Sequence, residues 1–186
     1  GESQAQWGIV RAALQLVAAC DDADHNLPGN IGNLNALIEH YTSSLREIDR
    51  LQREFEQAIG EYISIEPVVD DVAEHARERY AKVAEKVQTI FIKLLENEGW
   101  PPQSMLANGD LFDTLVEPLL AERTKRVAYI HVDALRYELG LELQRQLIDM
   151  GTATIQPSIA QLPTVTPIGM ASLLPDAGKK LEILNE

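Results

Sequence analysis

The sequence predicts two architectures in one chain. Residues 1–109 read as a helical segment built on a long antiparallel helical hairpin, and residues 110–186 as the start of an α/β domain with a mostly parallel sheet. Three observations carry this reading. Apolar residues repeat every seven positions between Leu34 and Leu94, which is a helical seam. The composition shifts across GWPPQSMLANGD, where Gly99, Pro101, Pro102 and Gly109 mark a boundary. Beyond it VAYIHVDAL, Val127 to Leu135, is a near-continuous apolar run of strand formers, the pattern of a buried parallel strand.

In chain order, Trp7, Val10, Leu14 and Val17 recur at three and four, which predicts an amphipathic helix that stops before the turn formers of DDADHNLPGN. Leu34, Tyr41, Ile48, Phe55 and Tyr62 form the first heptad series, with Leu37, Ser44, Leu51 and Ala58 in the second seam position. Val69, Ala76, Val83 and Ile90, together with Ala73, Tyr80, Val87 and Leu94, form the other. The link is short, and Pro67 suits the first turn of the second helix. Residues 34–62 and 69–95 are therefore expected to pair as a hairpin about 40 Å long, at roughly 1.5 Å per residue. It serves either as a scaffold packed on its neighbours or as a partner-binding arm.

After the boundary a helix is expected over Leu111–Arg123, kinked at Pro118. The strand Val127–Leu135 leads into RYELGLELQRQLIDMG, with Leu139, Leu143 and Leu147 on one face and Gly151 as a stop signal. A weaker strand, TATIQPSIA, follows, then LPTVTPIGMASLLP with its short helix, and LEIL begins another strand. Strand, helix, strand, short helix, strand is the order of an α/β layer.

With 29 acidic against 16 basic residues the net charge is −13. A field of that sign repels nucleic acid at long range, so the chain alone is a poor nucleic-acid-binding module. The single cysteine, Cys20, has no partner for a disulfide or a CxxC site, which fits a packing role in a reducing cytoplasm. No run approaches the roughly 20 apolar residues of a membrane span. The opening GESQAQW and the ending KKLEILNE suggest a piece of a longer protein.

Two positions carry chemistry. Asp133 ends the expected strand just before a helix, where open α/β sheets bind ligands, so its carboxylate is placed either to hold a metal or reacting group or to cap that helix. Thr166 precedes Pro167 and IGMASLL. Threonine then proline fits an N-cap, and the same geometry presents a hydroxyl that a bound metal would activate as a nucleophile. His131, two residues before Asp133, reads as a core histidine, and His25, His40 and His75 have no partner at metal-ligand spacing. Arg136 either meets a substrate phosphate or clamps Glu138.

Taken together, VAYIHVDALRYE and, about thirty residues on, LPTVTPIGMASLLP resemble the PglZ domain, a branch of the alkaline phosphatase superfamily found in bacterial BREX phage-defence systems. The family's D-x-x-R-x-E pattern is matched by Asp133, Arg136 and Glu138, and its Pro-Thr-x-Thr element by Pro163, Thr164, Val165 and Thr166. The resemblance implies a metal-dependent phosphoesterase, of phosphodiesterase or nuclease type, with Asp133 a metal ligand and Thr166 a ligand and nucleophile. Related enzymes place a bulky apolar pair seven and eight residues after the nucleophile, which gives Leu173 and Leu174 from Thr166 but Ala171 and Ser172 from Thr164. The implied cofactor is two divalent metals, usually Zn2+, most of whose ligands lie beyond the nucleophile. After Thr166 the chain has only Asp176, Glu182 and Glu186 as acids and no histidine, so the site is incomplete and the chain is expected to be inactive alone. Other defence-system proteins are the implied partners, a nucleotide or nucleic acid the implied substrate class, and the cytoplasm the implied location. Sulfatases and phosphoglycerate mutases fit less well, because Thr166-Pro167 is neither a sulfatase cysteine signature nor a mutase serine motif. The rival reading is a non-catalytic interaction or scaffold module of a defence complex.

Overall fold

A computed structural model describes residues 2–27, 31–61, 67–122 and 126–180. The contacts divide the chain into two compact units, Gly1–Glu98 and Gly99–Glu186.

The first unit is helical. It contains α1 (Glu2–Asn26), α2 (Leu34–His40), a π-helical turn (Tyr41–Leu45) that runs directly into α3 (Arg46–Gly60), and α4 (Pro67–Glu98). Asn33 caps α2, its side-chain oxygen accepting from the Ala36 N–H at 2.8 Å. The Leu34 N–H at that helix start donates to the Glu98 carboxylate at 3.1 Å, so an anion from the far end of α4 meets a positive helix terminus. α4 begins at Pro67, as expected of a residue with no N–H to offer the first turn.

Three pairings fix the antiparallel register of α2–α3 against α4: Leu34 with Glu98, Asp49 with Tyr80, and Glu56 with Arg77. The two heptad series do face one another. They form a hairpin packed on a neighbour rather than a free-standing pair, because α1 packs closely along both α3 and α4. Helix pairs approach closely where side chains are small, and α1 offers Ala13 and Cys20, while α4 offers Ala73 and Ala76, all buried. Phe55, Leu16 and Ile9 fill the remaining space, and Val69, Val83, Leu45 and Ile48 close it.

The buried face of α1 is Ile9, Ala13, Leu16 and Cys20. The face expected from Trp7, Val10, Leu14 and Val17 is rotated from this one, and Trp7 and Leu14 are 70% and 61% exposed. Counting bulky residues favoured them; helix packing selected the small ones. α1 also continues to Asn26, through residues expected to form a turn. Asp21 accepts from Arg79 Nε at 2.8 Å and Asp24 from Lys86 Nζ at 2.7 Å, so these acids are placed by basic side chains of α4. Burial pushes the Cys20 thiol up to about 11, consistent with a packing role. Tyr62 and the link before Pro67 lie outside the described residues.

The second unit begins with the segment read as a linker or domain boundary; the division falls at its start, and the segment itself packs inside the unit, where Trp100 Nε1 donates to the Ala160 carbonyl at 2.8 Å and Ala107 bridges Ile159 in parallel sense. A helical path follows as α5 (Asn108–Leu111), a π-helical turn (Phe112–Val116) and α6 (Glu117–Leu120). The π turn interrupts the helix expected over this stretch, and Pro118 falls in the first turn of α6, where its missing N–H costs least. After α7 (Tyr137–Leu147) come α8 (Thr166–Ala171) and α9 (Ala177–Lys180). α5 and α9 meet with almost no separation, since a Cβ at Gly109 would stand 3.1 Å from the Gly178 Cα.

No strand forms among the described residues of this unit. Val127–Val132 and Thr152–Ser158 are without assigned secondary structure, and the expected mostly parallel sheet is represented by the single Ala107–Ile159 bridge. The reason is physical: a strand exists only through ladder bonds to a neighbour, and neither run finds one among the described residues. LEIL lies outside them. On α7 the face expected from Leu139, Leu143 and Leu147 is not the packed one, because Leu143 and Leu147 are exposed. Gly140 lies against Ile155 instead, and Gln144 Nε2 donates to the Ala153 carbonyl at 2.9 Å.

Candidate functional site

Asp133 sits in the turn that follows the extended run, and the next residue, Ala134, has φ +53°. A left-handed alanine carries a steric cost of about 1 kcal/mol or more, so this turn is held by its surroundings. α7 starts only at Tyr137, with Arg136 as N-cap residue and no side-chain cap bond. Asp133 is therefore not a helix cap. The same test applies to Thr166, which is the first residue of α8 rather than its cap; Val165 holds the cap position without a side-chain bond, and Pro167 follows.

With capping set aside, both side chains point elsewhere, and they point at each other. Thr166 Oγ1 donates to Asp133 Oδ2 at 3.1 Å, across 33 residues of sequence. Both residues are exposed and line one cleft of about 420 Å³. Thr164 lines that cleft too, but among the described residues its side chain forms no hydrogen bond. Leu173, the first of the apolar pair used to choose between the threonines, lines the cleft, and its carbonyl accepts from Tyr129 Oη at 3.0 Å.

Arg136 donates to Glu138 at 2.8 Å. The Glu138 side chain is 1% exposed and that of Arg136 49%, so the arginine neutralises a buried carboxylate while standing at the cleft. His131 is half-buried and meets the Tyr129 ring edge-on, with centroids 4.2 Å apart, which agrees with a packed histidine. Burial raises the Tyr129 hydroxyl above its ordinary value.

Two polar lining residues, Asn108 and Gln161, were not singled out from the sequence. Asn108 looked like linker; its Oδ1 accepts from Ser158 Oγ at 2.6 Å and its N–H donates to the Ile159 carbonyl at 2.9 Å. No local pattern distinguishes such a residue from a turn former.

Among the described residues no three His, Cys, Asp or Glu side chains converge as a metal site. Asp133 and Thr166 offer two oxygen donors, and the described residues do not complete the set.

This geometry of an aspartate at a turn facing a threonine at a helix start is accompanied by a match over residues 111–185 to the family model for the BREX system PglZ alkaline phosphatase-like domain. The recognition made from the two motifs holds, and this stretch is a segment of a PglZ-type domain. Among curated proteins, the chain is similar to the alkaline phosphatase-like protein PglZ of Bacillus cereus (strain H3081.97), with 26% identity over 156 residues. That alignment covers 75% of this chain and 17% of the relative, so the chain spans about a sixth of the protein it matches. Three quarters of the chain is more than its second unit holds, so the similarity reaches into the helical unit. No solved structure matches significantly.

Proposed function

We propose that this chain supplies the nucleophile and one metal ligand of a PglZ-type phosphoesterase whose remaining ligands come from outside the described residues. The observation that carries the reading is the 3.1 Å bond from Thr166 Oγ1 to Asp133 Oδ2, made by two residues that neither cap a helix nor pack in a core. Asp133 orients the hydroxyl and accepts its hydrogen, which turns the oxygen lone pairs toward the open cleft. Thr166 Oγ1 would form the bond to phosphorus as the bond to the leaving alcohol breaks, and water would then hydrolyse the phosphothreonine. Asp133 and Thr166 would be two of the donors to a divalent metal, in this reading one of a pair of zinc ions, which would supply positive charge to lower the hydroxyl pKa and offset the phosphate charge. That charge matters in a chain of −13 that would otherwise repel a phosphodiester of nucleotide or nucleic-acid type. Arg136, held by Glu138, lines the same cleft, where its guanidinium would meet a bound phosphate.

Other components of a BREX system are the proposed partners and the cytoplasm the proposed location; no described helix is long and apolar enough to cross a membrane. The test is made in the full-length parent on an aryl phosphodiester. Thr166→Ala is expected to abolish metal-dependent turnover, Thr164→Ala to leave most of it, and Asp133→Ala to reduce it about as far as Thr166→Ala, with no further loss in the double variant. The 186-residue chain alone is expected to be inactive with zinc or manganese. Wild-type turnover by the Thr166→Ala parent would overturn the residue assignment, and an inactive wild-type parent would favour the non-catalytic scaffold reading.

A further inference from the structure

We propose that the groove between the α2–π turn wall and the C-terminal half of α4 docks a basic amphipathic helix of a partner protein. α4 lines it with Tyr80, Val83, Ala84, Val87 and Phe91, spaced by three and four along one face. At 1.5 Å per residue this stripe is about 16 Å long, or three helical turns. Leu37, Tyr41 and Ile48 form the opposite wall, and the space between is about 330 Å³. A trough of this length and lining matches the apolar i, i+3, i+4, i+7 face of another helix.

One end of the trough is charged. Asp49 is the only carboxylate among its described lining residues, which include no lysine, arginine or histidine, and it is fixed by two donors: Tyr41 Oη to Oδ2 at 2.6 Å and Tyr80 Oη to Oδ1 at 3.0 Å. Among the described residues no lysine or arginine pairs with it. The π turn makes this arrangement possible. In an uninterrupted helix residue 41 would share a face with Ile48, its heptad partner; the wider turn takes up one extra residue and brings Tyr41 over Asp49. Each carboxylate oxygen that accepts one hydroxyl retains capacity for a second donor. An apolar stripe followed by one lysine or arginine therefore complements the groove in shape and charge. A second copy of this chain does not, since two chains of −13 repel, and an anionic membrane surface is repelled for the same reason.

The experiment uses the whole 186-residue chain and a displayed library of peptides about four helical turns long. Selection is for wild type and against Ala84→Lys, a change at an exposed α4 position whose folding is checked by circular dichroism. Recovered peptides are expected to share the i, i+3/i+4, i+7 apolar pattern with a basic residue beyond one end. Asp49→Asn should weaken them at least about tenfold, replacing the peptide's basic residue by methionine should do the same, and the two changes together should cost no more than either alone. The proposal is overturned if no peptide prefers wild type to Ala84→Lys, or if affinity ignores Asp49→Asn. Dimerisation of the chain, or binding to phosphatidylserine vesicles, that Ala84→Lys abolishes would overturn it by assigning the groove to a different occupant.

Discussion

In the helical unit Ile48 and Phe55 lie on a seam and are buried, at 5% and 0% exposure, whereas in the second unit Ile130 and Val132 belong to an equally apolar run and are 79% and 48% exposed. The difference lies in what each element needs. A helix satisfies its backbone within itself, so an apolar stripe only has to find another stripe, and α1, α3 and α4 each supply one. An extended run needs a neighbour for every N–H and C=O before its side chains have a surface to pack on, and among the described residues Val127–Val132 has none.

The largest effect expected from this contrast is in the helical core. Phe55→Ala removes a fully buried ring beside α1 and α4 and should cost about 3–5 kcal/mol of stability in denaturant titrations followed by circular dichroism. A loss below about 1 kcal/mol would mean that the three-helix core is looser than described. Next comes Arg136→Ala, which removes the Arg136 guanidinium from the buried Glu138 carboxylate; about 1–3 kcal/mol is expected, with Arg136→Lys recovering part of it. A neutral outcome would show that the C-terminal unit does not depend on this pair.

A third effect is read against pH. The folded thiol of Cys20 is raised to about 11 from an ordinary value of 9.0, so between those values the unfolded chain loses its proton while the folded chain keeps it. Stability contributed by the neutral thiol is thus complete below about pH 9 and falls as pH rises toward 11, by up to about 1.4 kcal/mol per unit. Cys20→Ala should flatten that slope, and an unchanged slope would place the titration elsewhere. The smallest effect is Ile130→Thr, expected within about 0.5 kcal/mol, against several kcal/mol for Ile48→Thr. Equal costs would erase the contrast between the units.

How much of this was legible in the sequence follows the same division. The helices were readable from period alone, and the register of Glu56 on Arg77 follows from two matched heptads. The role of α1 was not, because Ala13 and Cys20 look unremarkable until close approach is required, and its last turn depends on Arg79 and Lys86 from far along the chain. A π turn at Tyr41–Leu45 leaves no local signature, since its extra residue is visible only once Tyr41 is seen on Asp49. The approach of Asp133 and Thr166 was legible because both sit at element ends, although each was also readable as a cap until the caps were seen at Arg136 and Val165. Asn108, read as linker, could be recognised only from its partners.

The contact of α5 with α9 has a consequence for inheritance. A side chain of any kind at Gly178 would run into the Asp110 carboxylate and lie 3.1 Å from the Gly109 carbonyl oxygen, whereas Gly8, Gly60 and Gly151 have open space around them. In a library of random variants sorted for folded protein, Gly178 should accept replacement less often than those three glycines, because the Asp110 side chain must turn aside and the α5 backbone must give by a few tenths of an ångström. A position with no side chain and no chemistry is thus constrained by nothing more than the closeness of two short helices.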